Sequence, residues 1–310
     1  MKVRYALLFL FLCNAITAQN NNFIEQDLVI NNFVEGTLLI PKDLENKSLA
    51  IIIGGSGPTD RNGNQNFLKN NSLKKLAVSL TNEGIATFRY DKRIVKQIHQ
   101  GRIDKNIKFD DFVTDAISVV DYFKSKNKYN KIYIIGHSQG SLVGILAAKR
   151  NVDGLISIAG AGKPIDSVLI DQIEKTAPML AEDSKRVLSI MRSGKTTDNY
   201  PKTLASIFNK DIQPFMMNWM QYNPKEEIKK LEIPTLILNG TKDLQVSPGE
   251  AKTLKEASKN GQLKIIENMN HVFFLIEGDD LENSKSYNES FREISTVLTN
   301  EIITFIKSNN

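Results

Sequence analysis

Short runs of apolar residues alternate along this chain with stretches in which apolar residues recur every three or four positions. Residues 49–53 form an unbroken apolar run that stops at Gly54-Gly55-Ser56-Gly57-Pro58, which predicts a buried strand ended by a turn. Leu73, Leu76, Ala77 and Leu80 then repeat at helical spacing, with Gly84 as the stop signal. Residues 85–90 predict the next strand. Phe109, Phe112, Val113, Ala116, Val119, Val120 and Phe123 make a helical stripe, with Asp110 and Asp111 in the first turn where carboxylates suit the helix dipole. Two further strands are predicted at 131–135 and 155–159, with a helix at 141–149 between them. A strand at 235–239, a helix at 250–258 and a strand at 263–267 follow. Phe291, Ile294, Val297, Leu298, Ile302, Phe305 and Ile306 predict a closing helix. Alternating strands and helices, with continuously apolar strands, argue for a parallel sheet covered on both faces.

One stretch, 163–224, interrupts the alternation with helical patches and no good strand. It carries Met179, Met191, Met216, Met217, Met220 and the single tryptophan, Trp219. A helical lid inserted between two sheet strands fits this pattern. A methionine-rich face serves either as core filler or as the wall of an adaptable apolar pocket. Contact with substrate is expected within 215–222, from Phe215, Met216 and Trp219.

The composition changes the picture little. With 310 residues, 41% hydrophobic and 24% charged, the chain is neither disordered nor a polytopic membrane protein. The net charge of +5 comes from 40 basic and 35 acidic residues without a long basic run, so no nucleic-acid partner is expected. The N-terminus does matter. Lys2 and Arg4 precede an apolar run at 6–13, and Ala18 precedes the polar Gln19-Asn20-Asn21-Asn22. This is the layout of a secretory signal peptide at 1–18, and the run is too short to span a bilayer, which takes about 20 residues. The protein is therefore expected to be exported, periplasmic or secreted, with no stable membrane span after cleavage. A lipoprotein anchor at Cys13, the only cysteine, is the competing reading; Leu12 is bulky where such a site needs a small residue. The expected layout is 1–18 signal peptide, 19–162 first part of the core, 163–224 lid and 225–310 second part of the core. The sequence leaves the oligomeric state open.

The candidate chemistry begins at Gly136-His137-Ser138-Gln139-Gly140, between a predicted strand and a predicted helix. A serine on a sharp strand-to-helix turn projects off the sheet edge, and the flanking glycines let the neighbouring backbone come close. The Gln139 amide, opening the helix, would face an oxyanion formed beside Ser138. Of the three histidines, His137 is held in the turn itself and His99 lies in a polar segment with no strand before it. His271 follows the strand at 263–267 and so shares the carboxyl edge with Ser138, which makes it the candidate base. Asp243 follows the strand at 235–239 at the same edge and is the candidate orienting carboxylate; Glu267 and Asp279 compete but fall in the wrong order. The glycine-rich loop at 54–58 is placed to supply a second oxyanion donor, the Ser56 amide, with Gly57 as the alternative. No G-K-[ST] follows, which argues against phosphate binding. Asp60 and Arg61 are expected to brace this loop.

Taken together, Gly54 to Asn64, the elbow, Gly240-Thr241-Lys242-Asp243-Leu244-Gln245-Val246 and Asn270-His271 resemble the bacterial α/β-hydrolases, specifically their secreted carboxylesterase-like members. The resemblance runs from about Ser48 to the C-terminus. It implies an α/β-hydrolase fold, an eight-stranded, mostly parallel sheet flanked by helices with a lid after the sixth strand, and ester hydrolysis with no metal or other cofactor. Two departures stand out. Arg89-Tyr90-Asp91-Lys92-Arg93 resembles a family turn that normally continues Gly-x-Gly, whereas Ile94-Val95-Lys96 follows here, and Gly54 stands where many relatives carry His.

The expected reaction is hydrolysis of a small-molecule acyl ester through an acyl-enzyme on Ser138, with His271 as base, Asp243 orienting it, and the Ser56 and Gln139 amides as oxyanion hole. An amide or peptide bond is the alternative substrate, since the same triad serves both. A non-catalytic binding protein of this fold is the rival from another class, and dehalogenation is disfavoured because the elbow carries Ser rather than Asp.

Overall fold

The computed structural model describes residues 22–43 and 47–309; the expected signal peptide and Cys13 lie outside them. Eight strands form one sheet in the order β1-β2-β4-β3-β5-β6-β7-β8. The strands are β1 (Phe23–Val29), β2 (Glu35–Pro41), β3 (Ser48–Ile53), β4 (Ala86–Tyr90), β5 (Lys131–His137), β6 (Gly154–Ile158), β7 (Thr235–Gly240) and β8 (Gly261–Ile266). β2 runs antiparallel to β1 and β4, and every pairing from β4 across to β8 is parallel. This is the α/β-hydrolase architecture that the resemblance implied.

The central strands are apolar on both faces because both faces are covered. Every residue of β3, β4, β6 and β7 is buried. On one side α3 (Phe109–Lys126), α4 (Gln139–Ala147) and α10 (Pro248–Ala257) pack Phe112, Val119, Leu142, Ile145 and Leu254 against Ile51, Phe88, Ile134 and Ile237. On the other, α1 (Ser72–Asn82) and the C-terminal helix pack Leu76, Leu80, Ile302 and Phe305 against Ile52, Tyr133, Ile156 and Leu238. Parallel pairing brings the carboxyl ends of β3, β5, β7 and β8 to one edge, which is where loops can converge on a ligand.

Two readings of the pattern are corrected. The closing helix, α12, spans Thr296–Ser308 and does not include Phe291 or Ile294. Phe291 is 76% exposed, and Ile294 is buried through a bridge to Phe274. The Ser295 side chain accepts the Leu298 amide, a cap that starts the helix there. Second, the segment that holds His99 does follow a strand: Arg93–His99 is a helix, α2, entered from β4 through Asp91-Lys92.

Between β6 and β7 lie the helices α5 (Ile165–Thr176), α6 (Ala181–Arg192), α7 (Ala205–Phe208), α8 (Gln213–Trp219) and α9 (Pro224–Ile228). α5 to α8 have their own apolar cluster, including Leu169, Leu188, Met191, Phe208, Met216 and Met220. Most of the methionines are thus core filler, while Met179 is 79% exposed. α8 is fastened to α3 through Asp110, whose carboxylate accepts Asn218 Nδ2 at 2.9 Å and the Tyr222 hydroxyl at 2.6 Å. The remaining short helix, α11 (Asp280–Ser286), is capped by the Asp279 side chain.

Candidate active site

Ser138 sits at the junction of β5 and α4 with φ 54° and ψ −120°. A positive φ in a non-glycine residue costs on the order of 1–3 kcal/mol, so the turn persists only because its surroundings impose it. They do so tightly. A Cβ at Gly136 would lie 2.2 Å from the Gly140 carbonyl oxygen, and one at Gly140 would lie 2.4 Å from that of Ile53. No side chain fits at either glycine, which explains the Gly-x-Ser-x-Gly pattern. The Ser138 amide is tied to the Ile158 carbonyl at 2.9 Å, while its hydroxyl has no hydrogen-bond partner among the described residues.

His271 and Asp243 come together on the loops after β8 and β7. His271 Nδ1 lies 2.8 Å from Asp243 Oδ2, with both side chains almost fully buried. Asp243 Oδ1 accepts the backbone amides of Gln245 and Val246 at 2.8 and 2.9 Å, so the carboxylate is fixed before it meets the ring. An ionised carboxylate only accepts, so Nδ1 carries the proton and Nε2 keeps its lone pair. The two loops can approach because of Gly240, where a Cβ would sit 1.8 Å from the Met269 carbonyl oxygen. Asn270 holds the second loop: its Oδ1 accepts the Val272 and Phe274 amides, and its Nδ2 donates to Asn283 and Ser286.

His137 and the competing acids are engaged elsewhere, and His99 closes α2. His137 Nε2 meets the His271 carbonyl oxygen at 2.9 Å, and burial pushes this imidazole down to about 3, so it stays neutral. Glu267 accepts from Thr241, and Asp279 caps α11.

The glycine-rich loop after β3 reaches the same edge. Its brace is the ion cluster anticipated from Asp60 and Arg61. Asp60 accepts the amides of Asn62 and Asn64, and Arg61 pairs with Asp91 and Asp27. The Ser56 carbonyl accepts from Thr59 Oγ1 and Gln65 Nε2. Among the described residues the amides of Ser56, Gly57 and Gln139 are spent on no acceptor.

Ser56, Gly57, Ser138 and Gln139 all line one cavity of about 700 Å³ between the sheet edge and the helical insertion. Phe215, Met216 and Trp219 of α8 line it too, with Leu142 of α4 and Ile165, Val168 and Ile207 of the insertion. The aromatic wall is anchored to the core: Trp219 stacks on Phe109 with centroids 5.5 Å apart, and Phe215 tilts against Phe112 at 5.6 Å. Among the described residues no group of three His, Cys, Asp or Glu side chains converges as a metal site would require.

Lys92 was missed in the sequence. It lines the same cavity at only 6% exposure, with its Nζ 2.9 Å from the Gly55 carbonyl and 2.6 Å from Gln139 Oε1. Burial pulls its ammonium down to about 7. Its only sequence signal is its place in the Asp91-Lys92-Arg93 turn at the carboxyl end of β4. Each of these side chains reaches a different element: Asp91 to Arg61, Lys92 to the elbow, and Arg93 to Asp115 of α3.

Comparison with known proteins agrees with this architecture. Esterase EstD of Thermotoga maritima is 27% identical over 265 residues, covering 83% of this chain and 62% of the relative; the chain therefore spans less than two thirds of that protein's length. Est1E from Butyrivibrio proteoclasticus superposes with a TM-score of 0.58 at 19% identity, covering 92% of this chain and 98% of its own. A meta-cleavage product hydrolase from Pseudomonas fluorescens superposes with a TM-score of 0.51 at 19% identity, covering 89% and 96%. At these identities the two superpositions speak for the fold. Residues 70–279, a span that holds Ser138, Asp243 and His271, match the family described as serine aminopeptidase, S33, and the chain belongs to that family within the α/β-hydrolase superfamily.

Proposed function

We propose that this protein is a serine hydrolase of small-molecule carboxylic esters. The observation that carries the reading is the His271–Asp243 pair at 2.8 Å, on the sheet edge that also presents the unengaged Ser138 hydroxyl to a largely apolar cavity. In the first step Ser138 Oγ attacks the ester carbonyl and its proton passes to His271 Nε2. Asp243 holds the ring in the Nδ1–H tautomer and stabilises the imidazolium. The negative charge that develops on the carbonyl oxygen is met by the Ser56 and Gln139 amides. His271 then returns the proton to the departing alkoxide, leaving Ser138 acylated. Water repeats the sequence: it gives a proton to His271, attacks the acyl carbon, and releases acid while Ser138 regains its hydrogen. Under this reading 163–224 is a lid, and Phe215, Met216 and Trp219 touch the apolar part of the substrate.

The family's description favours comparison with a second substrate, the amide bond next to a free amino terminus. Such a substrate carries an ammonium group that a carboxylate should meet. Among the described residues the carboxylates on the cavity wall are Asp104 and Asp211, the latter paired with Lys105 at 2.8 Å, while the basic side chain held at the elbow is Lys92. This supports esters over aminoacyl amides. Side-by-side turnover of p-nitrophenyl acetate, butyrate, octanoate and laurate against aminoacyl p-nitroanilides tests it. Ester turnover with little anilide cleavage is expected; the reverse preference would overturn the ester assignment. We also propose export, on the basis of the pattern at 1–18; an unprocessed N-terminus in the protein made by its own host would contradict it.

A further inference from the structure

A buried lysine without a counter-ion needs a reason to exist. Lys92 follows β4 and precedes α2, and among the described residues it forms no ion pair. Its ammonium meets two neutral oxygens, Gly55 O and Gln139 Oε1, and lies 4.3 Å from the Phe112 ring centroid. Burying an ammonium in this way opposes folding. The contacts are not random ones. Gly55 O belongs to the peptide unit whose other end is the Ser56 N–H, and Gln139 is the residue whose own N–H opens α4 beside Ser138.

We propose that Lys92 is a positioning residue for the two oxyanion-binding amides, clamping the Gly55–Ser56 peptide and the Gln139 side chain through the N–H donors of its Nζ. The physical argument is short. A peptide unit is planar and, with no cis bonds among the described residues, its C=O and N–H point in opposite directions. Fixing Gly55 O therefore fixes the direction of the Ser56 N–H. The hydrogen bond donated to the carbonyl also polarises the peptide and makes its N–H a stronger donor. The hydrogen bond to Gln139 Oε1 holds the loop after β3 to the elbow after β5, so the two amides keep their separation. Lys92 acts through protein atoms rather than on the substrate, so it serves the transition state, where charge sits on the oxygen, more than the bound ester.

The inference rests on the proposed roles of Ser138, Ser56 and Gln139. Its test compares the full chain with Lys92→Met, Gln139→Leu, which retains the backbone N–H, and the double variant. Two readouts are taken: steady-state hydrolysis of p-nitrophenyl butyrate, and the rate at which a fluorophosphonate labels Ser138, a reaction that expels fluoride and seats the phosphoryl oxygen at the same amides. Lys92→Met should lower kcat about tenfold to a hundredfold with KM within about twofold, and slow labelling in parallel. The double variant should lose little more than Lys92→Met alone, because the two residues act as one unit. An unchanged kcat, or a raised KM at constant kcat, would overturn the proposal. If Lys92→Met shows no cooperative thermal transition, Gln139→Leu decides: a several-fold loss of kcat at constant KM supports the clamp, and a wild-type kcat removes it. A wild-type chain that neither turns over the ester nor labels at Ser138 defeats the functional reading and the clamp with it. A labelled wild type beside an equally reactive Lys92→Met defeats the clamp alone.

Discussion

His137 Nε2 lies 2.9 Å from the carbonyl oxygen of His271, so the residue before the elbow serine holds the backbone of the candidate base. Its ring also packs on the His271 ring at 4.8 Å and on Phe273 at 4.9 Å. The neutral imidazole donates its Nε2–H to the carbonyl, which keeps it from competing for the Ser138 proton. Replacing it by His137→Ala strands a buried carbonyl and opens a void, and should cost on the order of 2–4 kcal/mol. Urea unfolding measures this. A loss below about 0.5 kcal/mol would show that the contact does not support the loop.

The same histidine gives stability a pH dependence of known sign. Burial lowers its folded-state value from 6.5 to about 3. Between those limits the unfolded chain takes up a proton that the folded chain refuses, so this contribution is complete above 6.5 and is lost as pH falls toward 3. His137→Gln should therefore lose less stability than wild type between about pH 7 and pH 5, read as the shift in urea midpoint. Equal shifts would contradict the buried neutral imidazole.

Lys92 acts in the alkaline range. Its folded-state value of about 7 lies below the ordinary 10.5, so between the two the unfolded chain binds the extra proton and native stability rises with pH. The groups that share its small inner cavity do not titrate there. Asp115 is paired with Arg93, and burial pushes the Tyr90 hydroxyl well above its usual range. Wild type should gain stability relative to Lys92→Met between about pH 7.5 and pH 9.5. Parallel curves for the two proteins would show that Lys92 is not desolvated.

Asp110 fastens the helical insertion to α3 through Asn218 and Tyr222. Asp110→Ala removes both acceptors and leaves the Tyr222 hydroxyl without its partner, a change expected to cost about 1–3 kcal/mol. If the insertion shapes the pocket, KM for p-nitrophenyl butyrate should rise several-fold while phosphonate labelling of Ser138 changes little. A fall in labelling matching the rise in KM would place the effect in the chemistry instead.

Asp243→Asn retains the shape of the orienting group and removes its charge. An amide can offer its N–H₂ to Nδ1 and favour the opposite tautomer, so kcat should fall by about 10³ to 10⁴ with little change in KM. Steady-state kinetics beside an unchanged thermal midpoint provide the check. A loss below about tenfold would remove Asp243 from the proposed mechanism.

What could be read in the sequence follows from how local each signal is. The β5–Ser138–α4 junction is written in consecutive residues, because the steric crowding at Gly136 and Gly140 is met by the elbow and the adjoining strand end. The fully buried strands β3, β6 and β7 announce themselves as mainly apolar runs, whereas β4 buries Thr87 and Arg89 among its apolar residues. β1 does not: it pairs only with β2 and is mostly exposed, so its sequence Phe-Ile-Glu-Gln-Asp-Leu-Val carries no clear alternation. The start of α12 was misplaced because Ile294 is buried by a bridge to Phe274 rather than by helical packing. Lys92 was invisible for a different reason. Its partners are 37 and 47 residues away, and a lysine after a strand looks like any solvated turn residue until β3, β4 and β5 are laid side by side.

The central claim is that Ser138 is the nucleophile of an ester hydrolase. Hydrolysis of p-nitrophenyl butyrate by the wild-type chain and by Ser138→Ala, both shown folded by their thermal transitions, tests it most directly. The account predicts turnover by wild type and a loss of at least about 10⁴-fold in kcat for Ser138→Ala. Turnover that survives the substitution, or a folded wild type that hydrolyses none of the esters, would contradict it.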